Sequence, residues 1–349
     1  MKRTLSSAIE SGRFIVTGEL GPPLGASEAV VSKKAAHFRD VVDAVNTTDN
    51  QSGIVRMSSI ASAAILVDEG LDPIVQMTCR DRNRIALQSD MLGAHALGVR
   101  NLLLLTGDHM TMGNHPNAKP VYDMDSVQLI EAARNLCEAR FMSGDEVKSP
   151  PDFLLGGAAN PFAEPMGLRL IRIAKKVAAG ADFIQTQAVF EVDRFRRWMV
   201  GVRDLGLHEK VKILAGILPT RSHRALEFMR DNVSGMMIPE AMISRLKGAS
   251  DREAEGLKLA CEIIEQVREV EGVAGVHLMP VMWEKITPSL VEEAGLLADV
   301  VASGGASTGG GRDSEGPEAP EGGSNTDGAA PAKSSADTDG ASGRGGASS

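Results

Sequence analysis

The chain has 349 residues, 43% hydrophobic and 24% charged, enough to bury the core of one large barrel or two small domains. Its net charge of −9 and its 3% of aromatic residues argue against a nucleic-acid surface, which needs basic patches and stacking rings. The longest apolar runs, such as Leu102–Leu105, fall far short of the ~18–20 residues of a membrane helix, and Met1–Ser7 lacks the apolar stretch of a signal peptide.

Short apolar runs alternate with amphipathic stretches along the first ~300 residues. Strands are expected at Phe14–Glu19, Val41–Thr47, Pro73–Thr78, Asn101–Thr106, Asp152–Gly156, Phe183–Thr186, Lys212–Gly216 and Gly275–Met279. Helices are expected between them, at Glu28–Phe38, Met57–Glu69, Asn83–Leu97, Ser126–Ala139, Glu164–Ala179, Val192–Asp204 and Ser222–Asp231. Glu240–Lys247, Asp251–Glu271 and Met282–Gly295 read as further helices. Such alternation requires parallel strands joined by crossover helices, and eight units of this length fit a (β/α)8 TIM barrel over residues 1–301. An open doubly wound sheet is the weaker reading. Its first turn would cradle a phosphate with backbone N–H groups, and here Pro22 and Pro23 remove two of them.

From Ser303 to Ser349 the chain has no Val, Leu, Ile, Met, Phe, Trp or Tyr. Residues 302–349 are therefore expected to form a disordered Gly/Ser/Ala/acidic tail, because ordering them would bury almost no apolar surface. Cys79, Cys137 and Cys261 are isolated and odd in number, as expected for reduced thiols of a cytoplasmic protein. No H-x-x-x-H, H-E-x-x-H, C-x-x-C, Walker A or G-x-S-x-G motif occurs, so no metal site and no nucleophilic hydrolase is expected.

In a barrel, chemistry sits at the C-terminal ends of the strands. Those ends carry Glu19; Asn46, Thr47, Asp49 and Asn50; Gln76, Thr78 and Asp81; Thr106 and Asp108; Asn160; Gln185 and Gln187; Arg221; and His277. Any one of them could be a helix cap or a loop hydrogen bond, but the set makes a polar ring. Glu19 stands out. It follows the apolar run Phe14–Val16 and precedes Gly21-Pro22-Pro23, an apolar, stiff setting that would favour a protonated carboxyl and suit general-acid work.

The pieces Thr17-Gly18-Glu19-Leu20-Gly21-Pro22-Pro23, Val45-Asn46-Thr47-Thr48-Asp49-Asn50, Met77-Thr78-Cys79-Arg80-Asp81-Arg82-Asn83 and Leu103-Leu104-Leu105-Thr106-Gly107-Asp108 follow one another in order. Gly157-Ala158-Ala159-Asn160-Pro161, Gln185-Thr186-Gln187-Ala188-Val189-Phe190, Gly216-Ile217-Leu218-Pro219 and Met282-Trp283-Glu284 complete the series. In that order and spacing, from about Phe14 to Leu296, the chain resembles methylenetetrahydrofolate reductase in its short prokaryotic form without a regulatory domain.

The resemblance implies a flavoprotein of one-carbon metabolism, holding FAD at the C-terminal face of its barrel and reducing 5,10-methylenetetrahydrofolate to 5-methyltetrahydrofolate. It implies Glu19 as the general acid, Asp108 as the carboxylate between flavin and pterin, and Gln187 as an amide on the folate ring. Flavin contacts would fall to Asn46, Thr47, Gln76, Thr78, Asp108, Ala159, Asn160, Glu164, Arg172, Lys175 and Lys176. The sequence departs from better-known members at Gln76 and Glu164, where they carry His, at Asn160, where they carry Tyr, and at His223, where an aromatic Phe would contact folate or nicotinamide. The electron donor would be NAD(P)H or a partner subunit, and the chain would act as a homo-oligomer or heteromer. A flavin-free reductase, a pterin-binding methyltransferase and an accessory barrel subunit share the fold and stand as alternatives. The loop His109–Tyr122, with Pro116 and Pro120, is a candidate lid or partner contact.

Overall fold

The computed structural model describes residues 3–297 except 234. The tail expected from residue 302 lies outside the described residues. Eight parallel strands close into one barrel in chain order: β1 (Ile15–Leu20), β2 (Ala44–Thr47), β3 (Pro73–Thr78), β4 (Asn101–Leu105), β5 (Leu154–Ala159), β6 (Phe183–Ala188), β7 (Lys212–Ile217) and β8 (Val273–Leu278). The closing pair β1–β8 sets Thr17 opposite His277, and β1–β2 sets Glu19 opposite Asn46. Closure removes the open edges a doubly wound sheet would have, so the barrel reading stands.

Helices α1 (Leu5–Ser11), α2 (Glu28–Ala35), α3 (Ser59–Asp68), α4 (Arg84–Ala96), α5 (Ser126–Cys137), α6 (Met166–Ala178), α7 (Val192–Asp204), α8 (His223–Asn232), α9 (Glu240–Gly248), α10 (Arg252–Arg268) and α11 (Thr287–Glu293) complete the described fold. Apolar residues on the outward faces of the strands, among them Val16, Val45, Val75, Leu102 and Leu104, join the helices in one continuous core.

Helix α1 is an addition to the expected elements. Thr4 and Ser7 form a reciprocal capping box at its start, and Gly12 ends it at φ 67°. Leu5 and Ala8 from this helix pack with the lowest inward-facing layer of the barrel: Ile15, Ala44, Ile74, Leu103, Phe183 and Leu214. The barrel bottom is thus a dry plug. Phe183 fills its centre because β5 has Gly156 beside it: a Cβ there would lie 2.3 Å from the ring.

Two other differences have local causes. Strand β5 runs to Ala159 rather than ending at Gly156, which sets Asn160 directly at the barrel mouth. The last helix does not begin at Met282. A 310 turn at Glu284–Ile286 precedes it, and Pro288, which lacks an N–H, is accommodated only within the first turn of α11.

Phe183→Ala would leave a large void in the plug. It is expected to cost about 3–5 kcal/mol, read as a lower urea midpoint.

Candidate active site

Moving up the barrel from its apolar floor, the inward-facing side chains become polar. Thr17, Asn46, Gln185 and His277 form the next layer and are buried. Their bonds are internal. Asn46 Nδ2 donates to Gln185 Oε1 at 2.7 Å, and Gln185 Nε2 donates to Asn46 Oδ1 at 3.1 Å and to Thr17 Oγ1 at 3.3 Å. Thr17 Oγ1 lies 2.9 Å from His277 Nδ1.

Glu19 stands two residues above Thr17 on the same face of β1. Gln76 Nε2 donates to Glu19 Oε2 at 3.1 Å, and His277 Nε2 lies 3.6 Å from the same oxygen. The apolar surroundings expected for this carboxyl are therefore replaced by an amide and an imidazole. Strand residues alternate faces, and the apolar neighbours Val16 and Leu20 point outward into the helix layer, away from Glu19.

Above this layer opens a cavity of about 440 Å³, within the range of ligand-binding clefts. Glu19, Gln76, Thr78, Asp108, Ala159, Asn160, Arg172, Lys176 and Gln187 all line it. Asn46 sits below it in the amide pair. Thr47 is buried outside it, with a hydroxyl that has no hydrogen-bond partner. Glu164, Lys175 and His223 do not line it. The Glu164 carboxylate pairs with Arg194, Lys175 is exposed, and His223 opens α8.

Two local features shape the cavity wall. Gln185 and Gln187, two positions apart on β6, share its cavity-facing side, and the pairing of β6 with β7 slips between Gln185 and Ala188. Gly216 permits this bulge, since a Cβ there would come 2.4 Å from the Thr186 carbonyl oxygen. In Thr106-Gly107-Asp108, Gly107 takes φ 91° with its Cβ direction blocked by Thr78, so only glycine suits the turn. The Asp108 carboxylate then accepts from Ser52 N at 2.8 Å, while Arg80 Nη1 donates to its carbonyl oxygen at 2.9 Å.

The cavity is electrically divided. Glu19, Asp49 and Asp108 stand on the β1–β4 side, and Arg169, Arg172 and Lys176 of α6 on the other. Asp49 accepts from Thr78 N and Oγ1 at 2.8 and 3.0 Å and pairs with Arg82; burial nonetheless pushes its carboxyl upward. Lys176 is buried, and its ammonium donates to the Ala158 carbonyl oxygen at 2.5 Å. Burial, with Arg172 adding to it, lowers Lys176 to about 8. Arg169 Nε is buried without a partner. Three cations with so few anionic partners form a wall suited to a phosphate-bearing ligand.

The methylenetetrahydrofolate reductase family model matches residues 4–295. The chain belongs to that family. Methylenetetrahydrofolate reductase 1 of Schizosaccharomyces pombe is 26% identical over 246 residues, which cover 68% of this chain and 38% of the relative. The 5,10-methylenetetrahydrofolate reductase of Pectobacterium carotovorum subsp. carotovorum is 24% identical over 239 residues, 66% of this chain and 72% of the relative. That of Salmonella typhimurium is 26% identical over 216 residues, 60% and 65% respectively. The chain thus spans little more than a third of the yeast relative's length.

A solved Clostridium thermocellum protein, described as binding two copies of 5-methyl-5,6,7,8-tetrahydrofolic acid, has the same fold. Its TM-score is 0.59 at 16% identity, covering 82% of this chain and 97% of that one. Among the described residues no cluster of His, Cys, Asp and Glu could hold a metal ion, and no helix is long and apolar enough to cross a membrane.

Asp49, Gln185 and His277 are among the cavity residues to which the sequence assigned no role beyond the strand-end ring, and Arg169 was not singled out at all. Asp49 finds its partners on the neighbouring β3 segment, Gln185 finds Asn46 across the barrel, and His277 meets Thr17 at the closing β1–β8 pair.

The lowered Lys176 has a measurable consequence. Below pH 8 it is protonated in both folded and unfolded chains. Between about 8 and its ordinary 10.5 the folded chain releases the proton while the unfolded chain keeps it, so stability rises with pH there. Cys79, pushed up to about 12 by burial, acts in the opposite direction. Wild type measured against Lys176→Met isolates the lysine: the difference should move in favour of wild type by roughly 2–3 kcal/mol from pH 7.5 to 10.5.

Proposed function

We propose that this chain reduces 5,10-methylenetetrahydrofolate to 5-methyltetrahydrofolate, with Glu19 as the general acid. The observation that carries the reading is Glu19 itself: a carboxyl on the cavity floor, held by Gln76 and facing His277, within the same enclosure as Asp108 and Gln187. In this reaction the Glu19 carboxyl protonates N10 of the folate, the bond from N10 to the bridging carbon breaks, and an iminium forms at N5. Hydride addition to that carbon completes the methyl group. Asp108, whose carboxylate makes no ion pair among the described residues, stabilises the positive charge on the iminium. The amide of Gln187 holds the pterin ring.

The cationic wall fits the diphosphate of FAD. Arg169, Arg172 and Lys176 would hold that group, with Gln76, Thr78, Ala159 and Asn160 around the remainder. When bound, FAD would supply the hydride, taken in turn from NAD(P)H or a partner subunit. A second reading has two observations in its favour. Glu164 and Lys175 stand away from the cavity, and among the described residues no Phe, Tyr or Trp lines it. The same wall would receive the diphosphate of a nicotinamide dinucleotide, which would then deliver its hydride to the folate without flavin. A corrinoid-dependent methyltransferase would need neither Glu19 as an acid nor a dinucleotide.

The visible spectrum of freshly purified protein, with the flavin released on denaturation quantified, distinguishes the hydride sources. In either case Glu19→Gln is expected to lower folate reduction by about 10²–10⁴-fold, the usual contribution of a general acid. Full turnover by that variant would refute the assignment.

A further inference from the structure

We infer that Gln185 is a positioning residue: paired with Asn46, it turns the Thr17 hydroxyl proton onto His277 Nδ1, so that the imidazole carries its own proton on Nε2 and presents it to Glu19. The inference rests on the reductase reading only where it gives Glu19 its proton-donating role.

Each donor in this buried set has a definite acceptor. Gln185 and Asn46 face each other through two complementary amide bonds, Nδ2 to Oε1 at 2.7 Å and Nε2 to Oδ1 at 3.1 Å. The second N–H of Gln185 points to Thr17 Oγ1 at 3.3 Å. Thr17 therefore accepts from Gln185 and has one proton to give. Two acceptors are in range, His277 Nδ1 at 2.9 Å and the Val276 carbonyl oxygen at 3.5 Å. The shorter bond wins, since a hydroxyl bond weakens steeply beyond ~3.0 Å. His277 Nδ1 is then an acceptor, and a neutral imidazole with an acceptor Nδ1 must hold its proton on Nε2. That nitrogen lies 3.6 Å from Glu19 Oε2, an electrostatic contact a few tenths of an ångström longer than a hydrogen bond.

Burial makes the arrangement rigid. Thr17 and Asn46 are fully buried, and Gln185 and His277 nearly so. A broken link would leave a buried donor or acceptor without its protein partner. The opposite orientation of both amides would aim Gln185 Oε1 at Thr17. The hydroxyl would then donate to Gln185, and the imidazole proton would move to Nδ1, leaving Nε2 a lone pair facing the carboxyl. The two states differ in one proton position on one ring.

Nitrogen NMR of ¹⁵N-histidine-labelled whole protein at pH 8 reads that position directly, with the His277 signals identified by their loss in His277→Gln. The expected wild-type result is a protonated Nε2 and an unprotonated Nδ1. In Gln185→Leu the tautomer should shift toward Nδ1–H or become mixed, and kcat for folate reduction should fall about tenfold with KM little changed. Thr17→Val, which keeps the side-chain shape and removes the hydroxyl, carries the same test if Gln185→Leu does not fold. A wild-type signal with the proton on Nδ1, or an unchanged tautomer in Thr17→Val, would overturn the assignment. The tautomer is read without substrate. A wild type that shows the expected tautomer but fails to reduce folate would refute the reductase reading and leave the role of Gln185 in setting the ring intact.

Discussion

A closed barrel has little water at mid-height, so polar side chains placed there must satisfy one another. That constraint organises this molecule. Below the layer of Thr17, Asn46, Gln185 and His277 the barrel is a dry plug of aliphatic residues around Phe183, sealed by α1. Above it the barrel opens into the cavity. The polar layer joins the two. Its reciprocal amide pair and its threonine–histidine contact satisfy most of these groups within the layer, and His277 Nε2 faces Glu19 at 3.6 Å. The layer also provides a floor on which Glu19 stands in a defined orientation, two residues further along β1.

From that floor the chemistry follows in steps. A carboxyl held by an amide and facing an imidazole can exchange a proton with a ligand in the cavity, because the cavity is the direction the protein leaves free. Arg80 holds the Asp108 backbone carbonyl, but the carboxylate itself is held by a backbone N–H, so its negative charge stays available to a cation formed nearby. The arginines and the lysine of α6 occupy the opposite wall, where a phosphate-bearing donor would be drawn. In the proposed reaction this separation of charge would set substrate and donor side by side, and each wall is built from elements whose position the barrel fixes. Burial of Lys176 weakens its hold on a proton, which makes that wall responsive to pH.

Much of this is readable from the residues. Short apolar runs ending in polar residues mark all eight strands, and the strand-end rule alone brings Glu19, Gln76, Thr78, Asp108 and Gln187 to one face. What local pattern does not carry is phase and partnership. Lys175 and Lys176 are neighbours in sequence, yet one helical step turns the first to solvent and the second into the cavity. Glu164, a flavin contact by resemblance, has its carboxylate taken by Arg194, thirty positions away. Asn46 is likewise a flavin contact by resemblance; the Gln185 that occupies it belongs to β6, and nothing near Asn46 in sequence announces that partner. Helix α1 is missed because seven residues with no long apolar periodicity give no signal apart from their caps. The surroundings of Glu19 read as apolar along the chain and are polar across the barrel, since adjacent residues on a strand face opposite sides.

The most direct test of the account is the structure of this protein with 5-methyltetrahydrofolate bound. The account predicts the pterin against Gln187 and Asp108, with N10 within about 2.6–3.2 Å of the Glu19 carboxyl, the reach of a general acid. A folate bound with N10 turned away from Glu19, or bound outside the cavity above the polar layer, would contradict it.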